Sequence, residues 1–317
     1  MRLFVSPTDH DWYRFLLERR PDEVNFWRPS ASGNSQALQP GEPFLFKAKA
    51  PRSGIIGGGL FVRYVRAPVS LAWQAFGENN GTPDVRTFLE RIRKYRGEPT
   101  SLDPDIGCVL LNEPFFFPEE LWLSEPPDWS RQIVRGKGYD TSETLGATLW
   151  DSVVERMADP GTVMGPHTDS LLLGDGTQLG ESARRYGESY LTQSRLGQGA
   201  FRLGVLDAYQ ARCAVTGERV RPTLEAAHIK PFALAGPNTV SNGLSLRADI
   251  HKLFDLGYVT VDKEHRFRVS SRLQTEFQNG VDYYRFQGDP LQVMPLKQAE
   301  RPAVEYLEWH NDMVFRP

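Results

Sequence analysis

The sequence predicts an α+β protein in two domains joined by a helical and irregular linker. A length of 317 residues leaves room for two domains of ordinary size. Strand-like alternation crowds residues 1–140, whereas 141–194 turn first helical and then rich in Gly, Pro, Asp and Thr. Residues 195–317 make the third stretch, with closely spaced short strands and a helix up to Gly257. Those three stretches set the expected boundaries.

The elements follow in order. RLFVSPT opens the chain as a short strand. EPFLFKAKA sets Phe44, Phe46 and Ala48 against Leu45, Lys47 and Lys49, the alternation of a half-buried strand. GIIGGGLFVRYVRAPVS continues as a second strand, and its glycine triplet predicts a bulge or a close backbone approach. Helices are expected at VSLAWQAFGE and DVRTFLERIRKYRG, the latter from the spacing of Val85, Phe88, Leu89, Ile92 and Tyr95. IGCVLLNEPFFF reads as a buried strand closed by Pro118. SETLGATLWDSVVERMA repeats Leu145, Leu149, Val153 and Met157 every fourth residue, a helix. Near the second domain, GQGAFRLGVLDAY reads as another.

Composition narrows the class. Hydrophobic and charged fractions of 40% and 24% belong to an ordinary globular protein, and no apolar run reaches membrane-spanning length. The opening residues lack the apolar core of a signal peptide, and two distant cysteines do not build a disulfide framework. A cytoplasmic, reducing location is therefore expected. A net charge of -3 argues against a surface coated with positive charge, although a local patch would still serve nucleic acid.

The stretch from Glu225 to Gly257 carries the chemistry. TLEAAH is a strand candidate, NGLSL a second, and RADIHKLFDLG a helix that Gly257 terminates. His228 sits on the first strand, and His251 and Asp255 stand four apart on one helix face. An imidazole nitrogen beside a carboxylate oxygen suits a borderline or hard divalent cation. This strand–loop–strand–helix order is a ββα-metal layout.

With His228 in AAHIKP, Asn242 in SNGLSL, His251 in RADIHKLFD and the preceding CAVTG, the segment resembles the HNH nuclease family. The likeness spans Arg195 to Val261, about a fifth of the chain. It implies phosphodiester cleavage in which His228 is the general base, Asn242 orients its loop, and His251 and Asp255 hold one divalent metal ion. Mg²⁺ or Mn²⁺ is expected, with Co²⁺ or Ni²⁺ as substitutes. Histidine is the side chain poised to act as a base near neutral pH. Two departures stand out. Ala227 occupies the position before the base where many relatives carry a further metal ligand, and only Cys213 lies nearby, so no structural zinc is expected. Glu225, on the opposite strand face from His228, is left outside the site.

DEVNFWRPS, LQPGEPFLFKAKAP and GIIGGGLFVRYV together resemble the PUA-like superfamily, specifically the EVE- and SRA-type readers of modified bases. That likeness implies a β-barrel-like domain that flips a base into an aromatic pocket. The candidates are Asn25, Phe26 and Trp27, then Trp73 and Phe76, although the helical spacing of the last two favours the core. Asn25 reads a base edge or caps a turn. Arg195, Arg202, Arg212, Arg221 and Lys230 are candidate contacts to the DNA backbone. The combination resembles modification-dependent restriction endonucleases acting on double-stranded DNA with 5-methyl- or 5-hydroxymethylcytosine. Cutting both strands makes a homodimer attractive, with the Leu145–Met157 helix as its expected interface. The contrasting reading is an RNA- or DNA-binding protein whose HNH-like segment is no longer catalytic.

Overall fold

The computed structural model describes residues 1–31, 38–96, 101–165 and 197–317. It divides into two compact units, Met1–Ala200 and Phe201–Pro317. Arg195 and most of the Gly- and Pro-rich stretch expected to link the domains lie outside the described residues.

The first unit is built on one mixed sheet. Its strands are β1 (Arg2–Thr8), β2 (Glu23–Arg28), β3 (Pro43–Ala48), β4 (Ile55–Pro68), β5 (Asp105–Phe116), β6 (Lys137–Asp140) and β7 (Val163–Met164). They run in the order β2-β5-β4-β3-β1-β6, with β7 added to β5. β1 and β3 are parallel and the remaining pairs antiparallel. Helices α1 (His10–Arg19), α2 (Val69–Phe76), α3 (Val85–Arg96) and α4 (Thr144–Met157) accompany it. The glycine triplet sits where the β4–β5 register shifts between Gly58 and Leu60. A Cβ on Gly58 would come within 2.6 Å of the Phe115 ring and 2.9 Å of the Phe44 carbonyl, so the strands close up only without a side chain there.

The half-buried pattern expected of β3 is not what forms: all six of its residues are buried. The sheet is covered on both faces. Phe44, Phe46 and Ala48 pack with Trp12, Tyr13 and Leu16 of α1, while Leu45 packs with Leu3, Val5 and the apolar face of α4. Lys47 is only 4% exposed, and its ammonium lies 2.8 Å from Glu125 and over the Trp129 ring. A lysine read as solvent-facing is thus buried but paired.

Helix α4 also differs from its expected role. Leu149, Trp150, Val153 and Met157 belong to the core cluster with Leu3, Val5, Phe115 and Phe117. Burying each such side chain is worth roughly 1.5–3 kcal/mol. The stripe offered to a second copy is therefore occupied within the chain, and the helix is part of the first unit. Asn25, Phe26 and Trp27 lie on a strand, so Asn25 caps no turn. They are residues of β2, paired with Leu110, Val109 and Cys108 of β5.

The second unit begins within α5 (Gln198–Ala208), which leads to the strands β8 (Leu224–His228) and β9 (Gly243–Arg247), followed by α6 (Ala248–Asp255). β8 and β9 pair antiparallel, with Ala227 opposite Leu244 and His228 opposite Gly243. Gly257 adopts φ +76°, and the amides of Gly257 and Tyr258 donate to the carbonyls of Phe254 and Leu253. That reverse-bonded ending is a Schellman motif, and it stops α6 where the glycine predicted. Beyond it stand β10 (Val259–Val261), β11 (Phe267–Val269), α7 (Arg272–Phe277), α8 (Val281–Tyr284) and α9 (Val304–Met313).

Candidate active site

His228 ends β8, where its ring stacks on Phe201 of α5 with centroids 3.8 Å apart. The opposite strand position is Gly243, and a Cβ there would stand 2.4 Å from Val205 and 3.1 Å from the Phe201 ring. The absence of that side chain is what lets α5 approach the strand pair. Nε2 of His228 lies 2.8 Å from Oδ1 of Asn238. Burial pulls the imidazole pKa below its ordinary value, with Asn238 opposing and the neighbouring His251 reinforcing that shift.

Asn242 is fully buried and closes the loop that follows His228. Its Oδ1 accepts from the Lys230 amide, and its Nδ2 donates to the carbonyls of Lys230 and Pro237, each at 2.9 Å. The Asn242 carbonyl also accepts from the Ile229 amide at 2.9 Å. One side chain therefore fastens both ends of the loop that presents Asn238 to the His228 ring.

On α6, Nε2 of His251 is 3.5 Å from the Asp255 carboxylate, as the four-residue spacing predicts. Nδ1 of His251 is 2.7 Å from Glu225 Oε2. A cavity of about 340 Å³ gathers Ala226, His228, His251 and Asp255, with Phe254 and His310. The two histidines and the carboxylate singled out in the sequence thus face one space.

The first unit holds a second cavity, of about 290 Å³, lined by Trp12, Phe26, Trp27, Tyr95, Asp9 and Lys49, among others. Residues from β1 and from β2 both line it, although the two strands stand apart in the sheet order. The sheet therefore curls, in keeping with the barrel-like shape expected of this domain. Lys49 Nζ donates to Asp9 at 2.7 Å, and the Tyr95 hydroxyl donates to the other Asp9 oxygen. Burial opposes the charge of Asp9, but these bonds outweigh it and hold the carboxyl below its usual range.

The remaining pocket candidates fall elsewhere. Asn25 is 0% exposed, and its amide donates to Asn80 Oδ1 at 2.9 Å, so it ties the core together. Phe76 is buried on α2. Trp73 packs toward Phe88 of α3, which also meets the edge of Trp27. Neither Trp73 nor Phe76 lines the cavity. Phe76 joins the core as its helical spacing suggested, whereas Trp73 is only half-buried.

Residues 213–262 match the family model described as HNH endonuclease. This segment is an HNH endonuclease domain. Among solved structures, the chain is similar to the ASCH protein of Zymomonas mobilis, at 14% identity over 46% of this chain and 94% of that one, TM-score 0.32. A mutant of the same protein gives 11%, 48%, 97% and 0.33. The modification-dependent restriction endonuclease TagI gives 14% over 92% of this chain and 75% of its own, TM-score 0.28. These overlaps are too loose to transfer any residue's role. No curated protein sequence matches the chain.

Within the HNH domain, Ala227 is 0% exposed, so the position where many relatives hold a ligand faces the core here. Among the described residues no three His, Cys, Asp or Glu side chains are grouped to hold a metal ion. His251 and Asp255 nevertheless offer the nitrogen and oxygen donors that a hard or borderline divalent ion takes, and they fit such an ion as two ligands of a larger shell. Sequence reasoning missed three neighbours. Glu225 was set aside by strand alternation. Asn238 carried no signal beyond its place in the loop. His310, from α9, lies within hydrogen-bond distance of Thr260 Oγ1 and the Phe254 carbonyl through its two ring nitrogens and is stacked on Phe254.

The candidate phosphate contacts divide. Arg202 follows Phe201 on α5, and Lys230 lies between the cavity residues Ile229 and Pro231 with its ammonium 5.7 Å from the Trp309 ring centroid. Arg212 donates to the Gly217 carbonyl in the turn after α5, while Arg221 is exposed ahead of β8. Among the described residues no helix is long and apolar enough to cross a membrane.

Proposed function

We propose that the protein is a modification-dependent DNA endonuclease. Its HNH domain hydrolyses phosphodiester bonds, and its first unit reads a flipped, modified cytosine. The observation that carries the catalytic half is the single cavity shared by His228, His251 and Asp255.

In the reaction, His228 takes the proton from the attacking water. With Asn238 Oδ1 accepting the Nε2 proton, the neutral ring keeps its lone pair on Nδ1, which is the basic atom. Asn242 keeps the loop closed, so the ring stays in that orientation. His251 and Asp255 would hold one divalent ion, Mg²⁺ or Mn²⁺, and such an ion when bound supplies positive charge at the scissile phosphate and the departing oxygen. His251 and Asp255 alone would offer such an ion only two protein donors, so its affinity would be low before DNA arrives. Arg202, Arg212, Arg221 and Lys230 flank the substrate backbone in this reading. Each HNH site attacks one strand, so a double-strand break calls for two copies or two successive nicks.

For the reader, support comes from the cavity at Phe26 and Trp27. Its volume of about 290 Å³ falls at the small end of ligand pockets, near 300 Å³, which suits one base. Aromatic walls provide stacking worth roughly 1–3 kcal/mol per base, enough to offset a flipping cost of a few kcal/mol. Asp9 is an acceptor of the kind that takes the N4 amino group of cytosine.

The test is a set of identical duplexes carrying cytosine, 5-methylcytosine or 5-hydroxymethylcytosine, with Mg²⁺ or Mn²⁺. Cutting confined to a modified duplex and abolished in His228→Ala is expected. Equal cutting of all three removes the reader, and undiminished cutting by His228→Ala removes the catalytic assignment. Preference for single-stranded RNA without cleavage would favour a binding protein instead.

A further inference from the structure

His251 has two ring nitrogens and two carboxylate neighbours, and the two carboxylates stand in different places. Asp255 approaches Nε2 at 3.5 Å and lines the cavity. Glu225 approaches Nδ1 at 2.7 Å and is not among the residues that line it. It comes from β8, the strand that ends in His228.

We propose that Glu225 is a positioning residue: by accepting the Nδ1 proton of His251, it fixes the tautomer whose bare Nε2 faces Asp255 and the cavity. This rests on the reading of His251 and Asp255 as the metal pair. A neutral imidazole carries its proton on one nitrogen only, so a carboxylate at Nδ1 leaves the lone pair at Nε2. A carboxylate acceptor also increases the donor strength of the opposite nitrogen.

The arrangement answers the oddity of Ala227. That position is buried and supplies no donor, which leaves His251 as one of two protein ligands. A site with so few ligands loses more when one of them rotates or presents the wrong tautomer. Glu225 removes both freedoms without entering the cavity. Its other neighbours fit this part: Leu224 is buried and pins the strand, while Ala226, the next residue, lines the cavity and leaves space in it.

The experiment reads the ring directly. Long-range ¹H–¹⁵N correlation spectra of the full chain, without metal, report which His251 nitrogen is protonated, with His251→Ala assigning the signal. Mn²⁺ binding is then measured by calorimetry for the wild type, Glu225→Gln, Glu225→Ala and His251→Ala. We expect an Nδ1-protonated ring in the wild type and in Glu225→Gln, whose amide oxygen still accepts. Glu225→Ala should show mixed tautomers and bind Mn²⁺ about 10–100-fold more weakly. Glu225→Gln should stay within a few-fold of wild type and keep the same fold by circular dichroism. An Nε2-protonated ring in the wild type overturns the inference, as does unchanged affinity in Glu225→Ala. Equal loss in Glu225→Gln and Glu225→Ala makes Glu225 a ligand or charge, not a positioning residue, and overturns it too. Wild-type affinity in His251→Ala instead removes His251 from the metal site, so the underlying reading fails and takes this inference with it.

Discussion

The imidazole of His228 lies flat on the phenyl ring of Phe201, with centroids 3.8 Å apart and planes 13° apart. Asn238 holds the same imidazole by its edge. A face and an edge together leave the ring little freedom to turn.

Phe201→Leu keeps an apolar side chain but removes the flat face. Misplacement of a catalytic group is costly, so the single-turnover cleavage rate should fall roughly 10- to 100-fold with DNA binding unchanged. An unchanged rate would assign Phe201 to core packing alone.

A pH profile tests the protonation state. His228 must be neutral to act as a base, and burial holds its pKa below the ordinary 6.5. The acid limb of kcat/KM should therefore have its midpoint below 6.5. The Asn238 bond favours the protonated ring, so Asn238→Ala should move that midpoint lower still and reduce the plateau. A midpoint displaced upward would contradict the bond's assigned direction.

Stability should depend on pH through His310. Burial is the first cause of its depressed pKa, about 4 against an ordinary 6.5, and the bond to the Phe254 carbonyl only partly opposes it. Between those values the unfolded chain binds more protons than the folded one. Stability is thus complete above 6.5 and is lost as pH falls toward 4, by roughly 3 kcal/mol. Urea unfolding of the wild type and His310→Phe across this range checks it, since the variant should show a shallower dependence.

The two tryptophans near Phe88 should separate in their effects. Trp27 lines the cavity and Trp73 does not. Trp27→Ala should weaken binding of a modified duplex by about 1–3 kcal/mol and erase discrimination against unmodified DNA. Trp73→Ala should leave discrimination intact. Gel shifts in EDTA measure both, and matching losses would place the reader elsewhere.

Much of the second unit was legible because its information is local. The four-residue spacing of His251 and Asp255 becomes a shared helix face whatever surrounds it, and Gly257 ends that helix through its own backbone freedom. His228 and Asn242 stood out because their neighbouring residues form a pattern specific to the HNH domain. Glu225 was lost for a physical reason. Strand alternation gives the direction of a Cβ, whereas a glutamate has three further torsions and ends where an acceptor is wanted.

The first unit was less legible. Asn25 and Phe26 are neighbours in sequence, yet one is a core tie and the other lines a cavity. Alternation in β3 promised a wet face, but α4 covers it, and Lys47 is buried against Glu125 and Trp129.

By itself the sequence determined the α+β class, most of the strands and helices, and three of the residues that line the HNH domain's cavity, His228, His251 and Asp255. Only the tertiary structure decided which faces are covered, where the curled sheet leaves a pocket, and which carboxylate meets each nitrogen of His251. Periodicity sets the direction in which a side chain leaves the backbone. What it meets there depends on elements far away in the chain.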